Sequence, residues 1–401
     1  MILLNLEMLN LNSNAFRYGN IMKRIIMFIF ILCLVFTNYS FGKSAPKEKT
    51  DKSKNPNNII LRIDQPMTKK YPFMEVYVSV SDNNHEPLIS LVRGNFSVSV
   101  DGKEITSGLD VAGFQYTDEG VAYSLLIAGN GMMEGESIEE QLKAAIALLE
   151  SLRDQDTLSV YVFGEEVKAV FEFEKKSESH IEKITKIEVL GGNPHMYDAL
   201  VFTARRLNSS EFKRKVIIIM TDGRDSGSRY NDEQMLNVLD EANIPIYSIG
   251  LKIMAGQNLA KINNISVHTG GDYIYAPELN QASKMMQLIT REVLFGYRLK
   301  FHVGHVKGDN QLHQLQVKAI VKESESSFFK NFVAEKIPIS TIVLIVIIVL
   351  IVIVIIAFVI VYLFQLRKTR KELGISQRKC PKCKQRMKDD WDECLFCKYK
   401  Q

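Results

Sequence analysis

The sequence predicts an α/β protein. Its centre is a doubly wound, mostly parallel sheet, inserted in or following a small β-sandwich, with one membrane-crossing helix and a cysteine-rich tail behind it. Three observations carry this reading. Val216-Ile217-Ile218-Ile219-Met220-Thr221 is apolar without alternation and ends in Asp222-Gly223, the pattern of a strand covered on both faces by helices. Around it, short strand-like runs alternate with helix-length amphipathic segments, which is the rhythm of βαβ units. Ile339 to Phe364 carries no charge over about 26 residues, enough to cross a bilayer.

The elements follow in order. Residues 1–42 read as a secretory signal region: Met22-Lys23-Arg24 precedes the apolar run Ile25 to Phe36, then the small-x-small pattern Ser40-Phe41-Gly42. Met22 is the expected start. Residues 43–58, rich in Lys, Asn, Pro and Ser, read as a solvated linker. Residues 59–117 alternate as half-buried strands at Ile59–Ile63, Met74–Val80 and Phe96–Val100, a small sandwich.

Residues 118–296 hold the βαβ pattern. Strands are expected at Val121–Ala128, Thr157–Phe163, Val167–Phe173, Val216–Thr221, Pro245–Gly250 and Tyr273–Ala276. Helices are expected at Ile138–Leu152, His180–Ile187, Met196–Leu207, Asp232–Glu241, Leu259–Thr269 and Gln281–Leu294. Alternation resumes in residues 297–333, expected to return to the sandwich. Residues 338–364 are the membrane span, 365–379 a basic juxtamembrane segment and 380–401 a cysteine module.

Charge and cysteine usage assign compartments. The net charge of +4 is small for 401 residues, and the basic excess lies near the C-terminus, so no nucleic-acid footprint is expected. Arg367, Lys368, Arg370 and Lys371 follow the apolar run, which places the tail in the cytoplasm and the bulk of the chain outside it. No cysteine lies between the two apolar segments, and four of the five follow the second, on the reducing side.

Asp222 stands at the carboxyl end of a central strand, where ligands of such sheets bind. Four blocks surround it: Ser124-Leu125-Leu126-Ile127-Ala128-Gly129-Asn130-Gly131-Met132-Met133; Gly191-Gly192-Asn193-Pro194-His195-Met196-Tyr197-Asp198-Ala199-Leu200; Met220-Thr221-Asp222-Gly223; and Ile246-Tyr247-Ser248-Ile249-Gly250 with Thr269-Gly270-Gly271. Together, over roughly Glu119 to Tyr297, they resemble the von Willebrand factor A domain, and the sandwich before them is similar to that of bacterial exported proteins carrying it. The resemblance implies a Rossmann-like sheet and a non-enzymatic protein-binding role.

The family's cation site uses an Asp-x-Ser-x-Ser turn, a Thr from a later loop and an Asp after the central strand. In this chain the turn positions are Ala128, Asn130 and Met132, the Thr falls near Pro194, and Asp222 alone matches. Asn130 and Asp222 are thus a degenerate cation site, and Mg²⁺, which demands near-octahedral oxygen ligation, is not expected there; weak Ca²⁺ binding is left open. The structural alternative for Asp222 is a carboxylate accepting loop N–H groups. Asp198 reads the same way. Asn193, His195, Arg224 and Asp225 form a candidate partner-contact rim, against a default of solvated loop residues. No nucleophile–base set or phosphate-cradling loop stands out.

Cys380-Pro381-Lys382-Cys383 and Cys394-Leu395-Phe396-Cys397 are two C-x-x-C knuckles, able to complete a tetrahedral Cys₄ zinc site. They resemble a zinc-ribbon tail module, except that Lys384 and Lys398 stand where such ribbons often place glycine. A closed Cys₄ site is structural; a redox pair or iron–sulfur site is the alternative. The expected function is metal-independent protein binding at a bacterial cell envelope, with a protein partner outside the cytoplasm. The alternatives are a cation-dependent adhesin using Asp222, and a transmembrane regulator whose zinc ribbon takes a cytoplasmic protein partner.

Overall fold

The chain opens with two long antiparallel strands, β1 (Ile59–Met67) and β2 (Phe73–Asp82), paired from Ile59 with Asp82 to Met67 with Glu75. The structure is a computed structural model that describes residues 59–253, 258–336, 339–372, 378–387 and 391–400. The signal region (1–42) and linker (43–58) read from the sequence lie outside the described residues. Three shorter strands follow: β3 (Phe96–Val100), β4 (Lys103–Glu104) and β5 (Asp110–Gly113). In β3 the alternation is clean, with Phe96, Val98 and Val100 buried and the two serines half-buried, as one covered face requires.

The βαβ region then begins: β6 (Val121–Ala128), α1 (Glu136–Ser151), β7 (Thr157–Phe163), β8 (Val167–Glu174), α2 (Ser179–Thr185), α3 (Met196–Asn208) and β9 (Arg214–Thr221). It closes with α4 (Asp232–Ala242), β10 (Ile246–Leu251), α5 (Leu259–Thr269), β11 (Tyr273–Ala276) and α6 (Ala282–Leu294). The strand order is β11-β10-β9-β6-β7-β8. All neighbours run parallel except β7 and β8, a hairpin whose second strand is an antiparallel edge. Every residue of β6, β7, β9 and β10 is buried.

Helices cover both faces of this sheet. Leu125, Ile127, Ile218 and Met220 pack on one side with Leu148 and Leu149 of α1 and Ile289 and Val293 of α6. Leu126, Ile217 and Ile219 pack on the other with Leu200 and Ala204 of α3, Leu239 of α4 and Ile262 of α5. Two of these helices end at left-handed residues, Asn243 and Gly270, and Asn231 caps α4 through its Gln234 N–H.

After α6 come β12 (Tyr297–His302), β13 (Leu312–Val321) and β14 (Ser324–Val333). β12 lies between β2 and β5, and β13 lies between β14 and β3, giving two four-stranded antiparallel sheets, β1-β2-β12-β5 and β14-β13-β3-β4. Their inner faces share a core that includes Ile63, Val76, Val98, Leu299, Phe301 and Val317.

The last long helix, α7, runs Ile339–Glu372. Its stretch Val343–Gln365 is long and apolar enough to cross a membrane and is not buried against the protein. At 1.5 Å per residue it spans about 34 Å, slightly more than a hydrocarbon core. The helix continues past the expected end of the span through Arg367, Lys368, Arg370 and Lys371, because Leu, Arg, Lys and Gln are all good helix formers. The tail carries β15 (Arg378–Lys379) paired with β16 (Arg386–Met387).

Candidate functional site

The upper end of the parallel sheet is built by the loops after β6, β7 and β9. Gly129 follows β6 where a Cβ would stand 2.3 Å from Val162, so only glycine fits. Its N–H donates to Phe163 O (2.7 Å), and its carbonyl accepts the N–H groups of Leu190 and Gly191 (2.7 and 3.2 Å). Gly223 takes φ +77° after Asp222, and a Cβ there would meet Asn258 O at 2.3 Å. The backbone thus closes tightly around the position where a cation would be held.

The side-chain oxygens in these loops are already engaged. Ala128 is wholly buried, and its N–H and carbonyl both engage the Gln141 amide at 3.1 Å. The Asn130 oxygen accepts the Met132 N–H (3.1 Å), capping the short helical turn Gly131–Met133. Pro194 is buried, and its carbonyl accepts the Ser226 N–H (2.8 Å). Asp222 is 1% exposed, and its Oδ1 accepts the Arg224 N–H at 3.2 Å.

The decisive side chain is Arg224. Its guanidinium pairs with Asp222 Oδ2 through Nε and Nη2, and its Nη1 reaches the Met132 thioether. A buried carboxylate is costly without a counter-charge, and the chain provides that charge itself. A set of one carboxylate already held by a guanidinium, one amide turned inward and one thioether does not fit Mg²⁺, which requires near-octahedral oxygen ligation.

The other expected rim residues are now placed. Asp225 Oδ1 accepts the Tyr197 N–H (2.9 Å) and the Ser228 hydroxyl (2.6 Å), so it caps the first turn of α3 from a neighbouring loop. Asp198 Oδ1 accepts the N–H groups of Arg229 and Tyr230 (2.9 and 3.3 Å), a loop-bonding role. Arg224 and Asp225 therefore spend their polar groups within the loops. Asn193 is exposed and His195 half-buried, the latter against Gly227. Met132 (44% exposed) and Arg229 stand outward beside them.

Residues 125–288 match the family model of the von Willebrand factor type A domain. The chain carries a von Willebrand factor type A domain. No curated protein matches the chain. Among solved structures, it is similar to a von Willebrand factor type A protein from Catenulispora acidiphila, at 10% identity over 71% of this chain and 75% of that one, TM-score 0.41. It is also similar to BatB from Bacteroides thetaiotaomicron, at 15% identity over 43% of this chain and 98% of that one, TM-score 0.37. A manganese-loaded TRAP protein from Plasmodium vivax is 17% identical over 58% and 98% of the two chains, TM-score 0.36.

The second candidate site is the tail. Cys380, Cys383, Cys394 and Cys397 have their sulfurs within 4.8 Å of one another, unbridged by disulfides. Cys380 Sγ lies 3.5 Å from Cys397 Sγ, and Cys383 Sγ lies 3.5 Å from Cys394 Sγ. Zinc–sulfur bonds of about 2.3 Å put tetrahedral sulfurs about 3.8 Å apart, so the donor set fits the ion. Each knuckle closes the same way: Lys384 N–H donates to Cys380 O (2.8 Å) and Lys398 N–H to Cys394 O (2.7 Å). Lys384 and Lys398 both take the left-handed conformation, φ 56° and 52°. The backbone therefore adopts the glycine geometry at the two positions where the sequence departs from glycine.

The thiols themselves call for a cation. Backbone N–H groups of Cys383 and Lys382 lower the Cys380 thiol to about 6. Burial, then the neighbouring thiols, push Cys397 up to about 12. Four thiolates this close cannot all be charged alone, and a divalent ion of the zinc type removes the conflict.

Sequence reading missed a buried polar cluster that ties β1 to β9. Asp64 Oδ2 on β1 pairs with Arg214 Nη2 at the start of β9 (2.9 Å), and Tyr247 and Ser79 donate to Asp64 Oδ1 (3.2 and 3.3 Å). Arg214 is wholly buried, its guanidinium 4.1 Å from the Phe114 ring centre. Burial raises the Asp64 carboxyl above its ordinary range, with Arg214 opposing. The only sequence signal was a basic pair, Arg214-Lys215, immediately before the apolar run.

Proposed function

We propose that this chain is a non-enzymatic protein of the cell envelope whose von Willebrand factor type A domain binds a protein partner without a bridging cation. The observation that supports this reading is Arg224 on Asp222: the carboxylate a metal would need is already neutralised from within. The contact rim is then Met132, Asn193, His195 and Arg229 around the plugged site. The apolar stretch Val343–Gln365 anchors the chain, with residues 59–336 outside the cytoplasm and the basic flank and Cys₄ module inside, following the positive-inside rule.

The test is cross-linking and capture from membranes with the full chain, with and without chelator, alongside titration of the purified protein with Mg²⁺, Mn²⁺ and Ca²⁺. Unchanged recovery of the external partner in chelator is the expected outcome. Millimolar or tighter binding of any of the three ions that disappears in Asp222→Ala would overturn the reading. The Cys₄ cluster supports a second role, a cytoplasmic zinc ribbon that engages a protein on that side. Replacing its four cysteines should leave the external partners in place and remove any internal one.

A further inference from the structure

A second group of metal-type side chains lies far from the plugged site, where the sandwich meets the von Willebrand factor type A domain. Arg62 comes from β1 and His85 from the turn after β2; Asp272 precedes β11 and Glu292 lies on α6. Asp272 is 2% and Glu292 1% exposed, and the His85 side chain is 24% exposed. One ligand atom each from His85, Asp272 and Glu292 lies within 4.8 Å of the other two.

Two of the three are already oriented. Asp272 Oδ1 accepts the Tyr273 N–H (2.8 Å) and pairs with Arg62, while Oδ2 stands 2.5 Å from His85 Nδ1. The turn that carries His85 is tied to α6 by Arg291 and Glu86 (2.8 Å), one residue away from each member. Glu292 is different: both its oxygens are buried without a hydrogen-bond partner. The neighbouring Ser79 hydroxyl donates instead to Asp64 (3.3 Å). Burial, and then the charge of Asp272, hold the Glu292 carboxyl well above the ordinary range, against the opposing charge of Arg62. An unpartnered carboxyl aimed at a carboxylate–imidazole pair costs stability unless something completes it.

We infer that His85, Asp272 and Glu292 form a binding site for a divalent cation of the zinc class, which clamps the sandwich to the von Willebrand factor type A domain. One imidazole and two carboxylates give a neutral complex and suit zinc, which takes nitrogen and oxygen ligands at about 2.0–2.2 Å. A single imidazole with so few oxygens suits Mg²⁺ and Ca²⁺ poorly. Ligands of one zinc ion stand about 3.3–3.5 Å apart, so His85 Nδ1 and Asp272 Oδ2, now 2.5 Å apart, must open by about an ångström while Glu292, within 4.8 Å of both residues, closes in. Glu292, which no hydrogen bond restrains, is free to do so. The Arg62 pairing stays on the other oxygen of Asp272 and orients it. On binding, His85 gives up its contact with Asp272 and offers a ring nitrogen as the neutral imidazole, Glu292 binds as the carboxylate, and any proton either group held leaves to solvent past the half-exposed His85.

The test uses the full chain in detergent with Cys380, Cys383, Cys394 and Cys397 all replaced by Ser, so that the tail holds no metal. After equilibration with zinc and dialysis, elemental analysis should find one equivalent, and zinc should raise the melting temperature of the external part. Adding Glu292→Gln or His85→Ala should abolish both effects, with circular dichroism confirming that each protein is folded. His85→Ala, at the exposed edge, keeps the test open if Glu292→Gln does not fold. No zinc in the cysteine-free chain, or zinc retained in a folded Glu292→Gln or His85→Ala protein, overturns the proposal.

Discussion

At the scale of single residues, the most consequential side chain outside the candidate sites is Arg214. It is wholly buried, its charge is met by Asp64 at 2.9 Å, and its guanidinium lies over Phe114. Removing one partner of a buried pair leaves the other charged and dry, which costs about 3–5 kcal/mol. Arg214→Ala should lower the unfolding free energy of the external part by that amount in urea titration; a loss below about 1 kcal/mol would mean that Asp64 finds another way to shed its charge. The sequence showed Asp222 plainly because a lone carboxylate ending an apolar run is a local pattern. It could not show Arg214 with Asp64, which stand 150 positions apart, nor Arg224 on Asp222. An arginine two residues after an aspartate reads as a solvated loop until the turn is seen to fold it back. Ala128, Met132 and Pro194 can be read at their turn and loop positions in the sequence; the guanidinium that pairs with Asp222 is seen only in the fold.

At the scale of elements, some strands were legible to the residue, and β9 and β10 to within two residues. Val121–Ala128, Thr157–Phe163 and Tyr273–Ala276 begin and end where hydrophobic patterning puts them. Strand β14 was not, because Ser324–Val333 mixes serines, Lys330 and Asn331 among its apolar residues and is held by pairing with all ten residues of β13. That pairing region carries a titratable clamp. His313 on β13 stands 2.7 Å from Asp101 and 3.1 Å from Asp309, with the Phe332 ring beside it. Burial works against its charge, but the two carboxylates outweigh it and raise the imidazole above 6.5. Asp101 is lowered: burial opposes, and the Gln314 N–H and His313 prevail. Asp309 is lowered by the Gln311 N–H and then His313. The signs follow from linkage. The His313 contribution is complete below about 6.5 and is lost as pH rises through its raised value; the aspartate contributions are complete above about 3.8 and are lost as pH falls. The sandwich should therefore be most stable between these limits, and His313→Gln should flatten the alkaline side of a melting temperature against pH profile. An unchanged profile in the variant would remove His313 from the account. Because both carboxylates are more than one-third exposed, the effect should shrink in high salt.

At the scale of the whole molecule, the path of the chain sets how the external part can fail. Residues on either side of the von Willebrand factor type A domain build the same two sheets. β12 supplies the pairing for β2 from Tyr297 to His302 and for β5 from Tyr297 to Lys300. β13 supplies it for β3 over five residue pairs. Leu299, Phe301, Leu315 and Val317 are all buried in the shared core. At about 1.5–3 kcal/mol for each buried side chain of this kind, those four alone contribute roughly 6–12 kcal/mol, as much as the entire net stability of an ordinary domain. Deleting residues 296–333 from the full chain should therefore unfold the strands before the insertion, although none of their own residues is changed. The parallel sheet keeps both covering layers of helices after that deletion, since α1 and α6 lie on one face and α3 to α5 on the other. Limited proteolysis separates the outcomes. Residues 58–115 should be cut rapidly in the deleted chain, while fragments spanning 118–295 persist. Protease resistance of residues 58–115 equal to that of the intact chain would show that β1 to β5 form a self-sufficient unit, and that the returning strands only decorate it.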